Sequence, residues 1–276
     1  MEPFKLKSKM RLHLSSWEEE IPGLVAGFTT RNGGVSEGAY QQLNMGLHVH
    51  DDTEKVLENR RILSRELHIP LQRWALGEQV HGTNIYQLST TDAGKGSIAV
   101  DSSVQGVDGL LTNEAHHILA AAFFADCVPL FFVDPTTRLA AIAHAGWKGT
   151  VGSIAEKMVQ KLVDAGASVK DLKVAVGPSI SKGNYVVDHF VLSHLNNEQR
   201  QKFTEEVSPN QFLIDLKQLN VDILVQSGVF RHNIEVTNYC TSQDETLFFS
   251  HRRDKGKTGR MLGFIGFRET GDVMED

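Results

Sequence analysis

The sequence predicts a mixed α/β domain, with β-sheets flanked by helices. Three observations carry this. Short continuous apolar runs recur along the 276 residues, such as "ILAAAFF" and "RLAAIAHAG", the pattern of strands covered on both faces. Stretches with a helical apolar period stand between them. No linker, internal repeat or low-complexity tract divides the chain, so the expected unit is one domain over 1–276. Residues of the AVILMFWYC set make up 41% and charged residues 22%, a normal balance for a chain that buries a substantial core.

In chain order, "GLVAGFTTRNGGVSEGAY" begins as an apolar strand and ends in a glycine-rich loop. Gly33 and Gly34 there allow a tight turn or close backbone approach to a ligand. "TEKVLENRRILSRELHI" puts Val56, Leu57, Ile62, Leu63 and Leu67 on one helical face, with Pro70 as the stop. "RWALGEQVHGTNIYQL" reads as two short strands around a turn at Gly82. "VDGLLTNEAHHILAAAFFADCVPLFFVD" and "RLAAIAHAG" are consecutive strands, with Asp134 and Pro135 turning the chain between them. A helix over 152–165 follows, burying Ile154, Met158, Leu162 and Val163. "LKVAVGPSI" is a buried strand. "NNEQRQKFTEEV" and "DLKQLNVDILVQSGV" are helical, and "NIEVTNYC" is a strand. "LFFSHRRDKGKTGRMLGFIGF" gives a strand, a basic loop and a last strand.

The formal net charge of −6, from 28 basic and 34 acidic residues, argues against a general polyanion binder. The only cysteines, Cys127 and Cys240, are too few for a disulfide framework and point to a reducing compartment. The N-terminus lacks an uninterrupted apolar core of a secretion signal. The most apolar segment holds Asp126 and Pro129 and is short for a membrane span. The expected location is the cytoplasm, and the expected state a monomer.

Three apolar strands give way to residues that bind borderline metals: His81 in "QVHG", Cys127 in "ADCVP" and His144 in "AHAGW". Strand ends on one sheet edge can converge although far apart in sequence. Two imidazoles and a thiolate suit Zn²⁺ and leave a fourth position open, the mark of a catalytic site. Spacing alone slightly favours the plainer reading, a buried core thiol and a satisfied core histidine. A Cys127–His144 nucleophile and base pair of a cysteine hydrolase is a further reading. Asp126 is a poor third member, because adjacent strand residues face opposite sides.

Other motifs carry less. "GVSEG" matches a nucleophile elbow, but no amphipathic helix follows it. "GKT" lacks the upstream glycine of a P-loop, and no dinucleotide fingerprint occurs. "HVHDD" could hold a metal, although Asp52 or Thr53 as a helix cap is the simpler reading. Trp147 reads as a packing residue. "SHRRDKGKTGR" reads as a structural or small-anion loop rather than a nucleic-acid contact. Arg31, directly before a glycine pair, is a candidate phosphate cradle.

Taken in order, "GFTTRNGGVS", "LNMGLHV", "ENRR", "QVHG", "VDGLLT", "ADCVPLFFVD", "AHAGWKGT", "VGPSI" and "FFSHRRDKGKTGRM" resemble the YfiH-like laccase-domain family, most of all its bacillar YlmD-type members. The segments run from Gly27 to Met261. The resemblance implies a three-layer α/β fold and one zinc ion on His81, Cys127 and His144, which would also be the catalytic residues. It implies purine nucleosides and phosphate as substrates. The activities implied are phosphorolysis of adenosine, inosine, guanosine and methylthioadenosine, and deamination of adenosine. It places Arg31 in the active site, with Asn44 as a plausible substrate-binding neighbour. The chain departs from the family at "SKGNYVVDHF", where paired cysteines and a glutamate are missing, and no role is assigned there. It departs also at His50, where many members have glycine.

The residues constrain the chemistry. Deamination needs an activated water, but the H-x-E and P-C-x-x-C segments of classical zinc deaminases are absent. Phosphorolysis needs an anion site and stabilisation of the leaving base. A multicopper oxidase needs several His-x-His pairs, and only His48 and His50 form one. Copper oxidation therefore ranks below the nucleoside reading. So do a cysteine hydrolase built on Cys127 and His144 and a nucleic-acid-binding module built on the basic loop.

Overall fold

A computed structural model describes residues 2–268; residue 1 and residues 269–276 of the expected 1–276 domain lie outside it. In chain order the strands are β1 Phe4–Ser8, β2 Arg11–Leu14, β3 Leu24–Thr29, β4 Trp74–Leu76, β5 Ile85–Gln87, β6 Gly109–Asn113, β7 Leu119–Phe124, β8 Val128–Asp134, β9 Leu139–Ala145, β10 Lys173–Val176, β11 Val186–Val187, β12 Thr204–Ser208, β13 Gln211–Ile214, β14 Ile234–Val236 and β15 Met261–Phe267. The helices are α1 Ser15–Glu20, α2 Thr53–Leu67, α3 Trp147–Val151, α4 Ile154–Asp164, α5 His189–Leu192, α6 Asn197–Phe203 and α7 Leu216–Gln226.

The strands form two mixed six-stranded sheets, β1-β2-β3-β15-β7-β4 and β14-β10-β8-β9-β6-β5, and a small antiparallel sheet, β11-β13-β12. The fold is thus the mixed α/β class. The large sheets pack face to face: Phe28, Phe124 and Ile265 of the first share a core with Phe131, Ala140 and Ile142 of the second. α2 covers the outer face of the first sheet through Leu63 and Leu67. α4 and α7 cover the outer face of the second through Met158, Leu162, Leu219 and Leu224. The sheet layer is therefore double, with helices on both sides. This explains why β8 and β9 are apolar at nearly every position: both of their faces are buried.

The strand period places His144. Along β9, Ala140 and Ile142 face the first sheet, while Ala141, Ala143 and Ala145 face α4. His144 continues the inward row, and its ring centroid lies 5.6 Å from that of Phe124 in β7.

Four local expectations are corrected. The pair around Gly82 is no hairpin: β4 runs parallel to β7 in one sheet and β5 parallel to β6 in the other. The segment 77–84 therefore crosses from sheet to sheet. α2 stops at His68, before Pro70, because His68 turns left-handed (φ 52°) and its N–H returns to the Ser64 and Arg65 carbonyls. The helix over "NNEQRQKF" ends at Phe203, and "TEEVS" pairs with β13 across a turn where Asn210 takes positive φ. "LFFS" forms no strand ladder: Leu247 is half-buried and Phe248, Phe249 and Ser250 are buried, the Phe249 N–H meeting Met261 Sδ and Ser250 Oγ meeting Asp126.

Candidate metal and nucleoside site

The site lies where the chain changes sheet. The 77–84 crossover carries His81, the β7–β8 crossover carries Cys127, and the end of β9 supplies His144. Their ligand atoms all lie within 4.8 Å of one another. The three positions read from the sequence therefore converge.

Asp108, just before β6, organises them. Its carboxylate accepts the Nδ1–H of His144 at 2.8 Å and the backbone N–H groups of Val80 (3.3 Å), His81 (3.0 Å) and Gly82 (2.6 Å). His81 sits at φ 57°, a left-handed conformation that these hydrogen bonds hold. With Nδ1 bonded to Asp108, His144 turns Nε2 toward Cys127. Burial raises the Asp108 carboxyl, but His144 and the Gly82 N–H outweigh it and hold it below the carboxylate range.

Cys127 follows Asp126, which takes φ 85°. The Asp126 carboxylate accepts from Thr241 Oγ1, Ser250 Oγ and the Arg252 N–H. It ties the basic loop to the β7–β8 turn and does not reach His144; the carboxylate that does is Asp108. Burial alone would raise the Cys127 thiol, but the charge and hydrogen bonds of His144 and His81 bring it well below the thiol range. Burial works likewise against a charged His144, and the thiolate and Asp108 together drive it up.

The residues present fit a metal ion. A methyl group added at Gly146 would stand 3.1 Å from Cys127 Sγ and 3.2 Å from His81 Cδ2, inside the space between the three ligands. A buried carboxylate on the far nitrogen of one imidazole is the usual outer partner of a ligating histidine. Among the described residues this is the one such group of three.

A cavity of about 500 Å³ opens above the triad, within the range of small-molecule sites. One part is lined by His48, Arg60, Phe123 and Arg260, another by Trp147, Ile180, Tyr185, Leu216 and Arg252. Arg252 stacks over the Tyr185 ring at 4.9 Å. Burial raises the Tyr185 hydroxyl to about 12, and Cys127 adds to this. His48 is exposed at the cavity, yet partial loss of solvent around its ring, helped by Arg260 and Arg60, lowers it to about 4.

The other sequence candidates lie elsewhere. Arg31 is not among the cavity-lining residues. Its side chain donates to the carbonyls of Gln41 and Glu245 and stacks over Phe249 at 4.7 Å. Asn44 is fully buried, bonded to Asp51, the Gly46 backbone and the Arg260 N–H. It braces the segment that carries His48. Ser36 of "GVSEG" is buried between Asp51 and Asn59. Asp52 caps α2, accepting from the Glu54 and Lys55 N–H groups. In the basic loop, Arg253 is spent on Asp254 and the Thr241 and Phe248 carbonyls, while His251, Arg252 and Arg260 line the cavity.

Sequence reasoning missed Asp108, Arg60 and Tyr185; it set His48 aside with the "HVHDD" loop and reached Arg260 only as the end of the basic small-anion loop. Arg60 had a readable signal: it stands four after Val56 and three before Leu63, a charge on the apolar face of α2. Tyr185 lies in the segment where the chain departs from the family pattern. No helix among the described residues is long and apolar enough to cross a membrane.

Comparison with known proteins shows the family and the fold. The chain is 47% identical over 251 residues to purine nucleoside phosphorylase YlmD of Geobacillus stearothermophilus, covering 90% of this chain and 91% of that one. It is 40% identical over 273 residues to purine nucleoside phosphorylase YlmD of Bacillus subtilis, covering 97% and 98%. The crystal structure of the Geobacillus stearothermophilus YlmD superposes with a TM-score of 0.92 at 44% identity, covering 98% of this chain and all of that one. That of the Bacillus licheniformis hypothetical protein YfiH gives 0.92 at 38% identity, covering 96% and 99%. The family model described as multi-copper polyphenol oxidoreductase laccase matches residues 25–268. With this match and with relatives alike over nearly their whole length, the chain belongs to the laccase-like YfiH family, among its YlmD-type members.

Proposed function

We propose that this protein is a zinc-dependent purine nucleoside phosphorylase, taking adenosine, inosine, guanosine and methylthioadenosine, and that it also deaminates adenosine to inosine. The observation that carries the reading is the His81–Cys127–His144 cluster at a cavity that can hold a nucleoside, in a chain whose relatives bear the phosphorylase name.

The donor set favours zinc over a multicopper centre. One cluster of two histidines and a cysteine occurs among the described residues, and no methionine lines the cavity as a weak axial ligand. Zinc, when bound, supplies a Lewis acid and an acidified water. The chain's own residues do the rest. Asp108 fixes the tautomer of His144. Gly146 leaves the centre of the cluster open. Ile180, Leu216 and the rings of Trp147 and Tyr185 offer an apolar bed for a purine. Tyr185, protonated at neutral pH, is a donor for a nitrogen of the leaving base. In phosphorolysis a phosphate oxygen bonds to C1′ as the C1′–N9 bond breaks. The purine leaves with the electron pair and takes up a proton.

A second reading has one specific observation behind it. Cys127, His144 and Asp108 stand in the order thiol, imidazole, carboxylate of a cysteine hydrolase. His81 weighs against it, because a nucleophile and base pair does not need a second imidazole on the sulfur.

Incubating metal-loaded protein with adenosine, with and without phosphate, tests these readings. Adenine plus ribose-1-phosphate marks phosphorolysis, and inosine plus ammonia marks deamination. Neither product, with Cys127 open to alkylation in the metal-loaded protein, would leave the hydrolase reading standing.

A further inference from the structure

We infer that Arg260, Arg60 and His48 form the oxyanion site of this cavity, the place that takes inorganic phosphate. The inference rests on the phosphorylase reading for the identity of the anion, and on the following geometry for the site.

Arg60 is 1% exposed. Its guanidinium donates to the Met45, Gly96 and Ser97 carbonyls and faces Phe123 at 5.2 Å. Among the described residues no carboxylate pairs with it. Arg260 spends Nη1 on the Thr258 and Gly259 carbonyls, and no hydrogen bond from its Nε or Nη2 to the described residues occurs. It has no ion pair among them either. Two guanidinium groups therefore line one cavity without a counter-ion. A buried or half-buried charge left without a counter-ion is unfavourable; Arg60 is buried and Arg260 half-buried, both beside an open space that an anion can enter.

The two arginines and His48 are neighbours. Gly46 brings Arg260 and His48 together: a methyl there would stand 2.9 Å from Arg260 Cγ and 3.2 Å from His48 Cε1. The His48 ring lies 5.1 Å from the Phe123 ring that Arg60 also faces. Loss of solvent around the ring, helped by the two arginines, favours neutral His48, and a neutral imidazole can donate one N–H to an oxyanion. Arg260, Arg60 and His48 line the same cavity as His81, Cys127 and His144, so the anion would stand close to the triad. Arg31, the arginine that the sequence offered for this role, does not line the cavity; it donates to the Gln41 and Glu245 carbonyls and stacks over Phe249.

Calorimetric titration of inorganic phosphate into the metal-loaded full chain, with hypoxanthine present and absent, tests the site without turnover. Arg260→Gln should weaken phosphate binding by about tenfold to a hundredfold, the worth of one charge-assisted contact. His48→Glu, which sets a carboxylate against the anion, should abolish it. Hypoxanthine binding reports that each variant is folded. Arg31→Gln should leave phosphate affinity where it is. Phosphate binding that survives both cavity variants, that is lost in Arg31→Gln, or that is absent from the parent under either condition would overturn the assignment. Phosphate binding through Arg260 without nucleoside turnover would retain the site and sink the phosphorylase reading instead.

Discussion

His144 Nδ1 lies 2.8 Å from Asp108 Oδ1, both side chains buried. The same carboxylate gathers three backbone N–H groups of the 80–82 turn. One residue thus sets the tautomer of one ligand and the backbone of another. Replacing it with asparagine keeps the shape but removes the charge and permits the wrong tautomer. Asp108→Asn should lower zinc affinity by about tenfold to a hundredfold, the usual effect of losing such an outer partner. Competition against a metal indicator measures this.

Gly146 has φ −64° and ψ 173°, a backbone that any residue adopts. A methyl there meets Cys127 Sγ and His81 Cδ2 at 3.1–3.2 Å. Gly146→Ala should therefore leave the melting temperature of the metal-free protein nearly unchanged while lowering its zinc content. Metal analysis beside a melting curve separates the two effects.

His48 is neutral in the folded protein down to about pH 4, because partial loss of solvent around its ring and two guanidinium groups oppose its charge. The unfolded chain binds that proton at about 6.5. Stability from this group is thus fully present above about pH 6.5 and is lost as pH falls through the window to about 4. His48 is itself exposed, so solvent screens much of this effect and the loss is small. Urea unfolding of the metal-free protein should show the parent losing more stability than His48→Gln across the window, and not less.

Arg60 satisfies the carbonyls of Met45, Gly96 and Ser97 from within α2. Arg60→Met matches the length and removes every donor, leaving those buried acceptors unpaired. Each costs roughly 1–3 kcal/mol, so the variant should lose about 3 kcal/mol or more in equilibrium unfolding. An unchanged midpoint would mean that water replaces the guanidinium.

The convergence of His81, Cys127 and His144 was legible because each is a polar residue interrupting an apolar strand end, and one sheet edge can collect such ends. The apolar runs of β8 and β9 likewise announced a sheet covered on both faces. What sequence could not give was the crossing between sheets. "RWALGEQVHGTNIYQL" has the look of a hairpin, and only the pairing of β4 with β7 and β5 with β6 shows that it spans the sandwich. The anion-binding candidates were legible only in part: the basic loop given a small-anion role ends at Arg260, which lines the cavity. Arg31 beside a glycine pair made a local argument, whereas Arg60, Arg260 and His48 meet only in three dimensions. Asp108 stood in a quoted segment, "VDGLLT", but nothing local distinguishes a carboxylate that bonds a histidine 36 residues away.

The central claim is that a zinc ion on His81, Cys127 and His144 supports phosphorolysis of a purine nucleoside. Phosphorus NMR of the metal-loaded protein with inosine and phosphate tests it most directly. The account predicts a growing ribose-1-phosphate signal matched by hypoxanthine, lost on chelation and restored by zinc. A reaction that yields no phosphorylated sugar, or one that persists unchanged after the metal is removed, would contradict it.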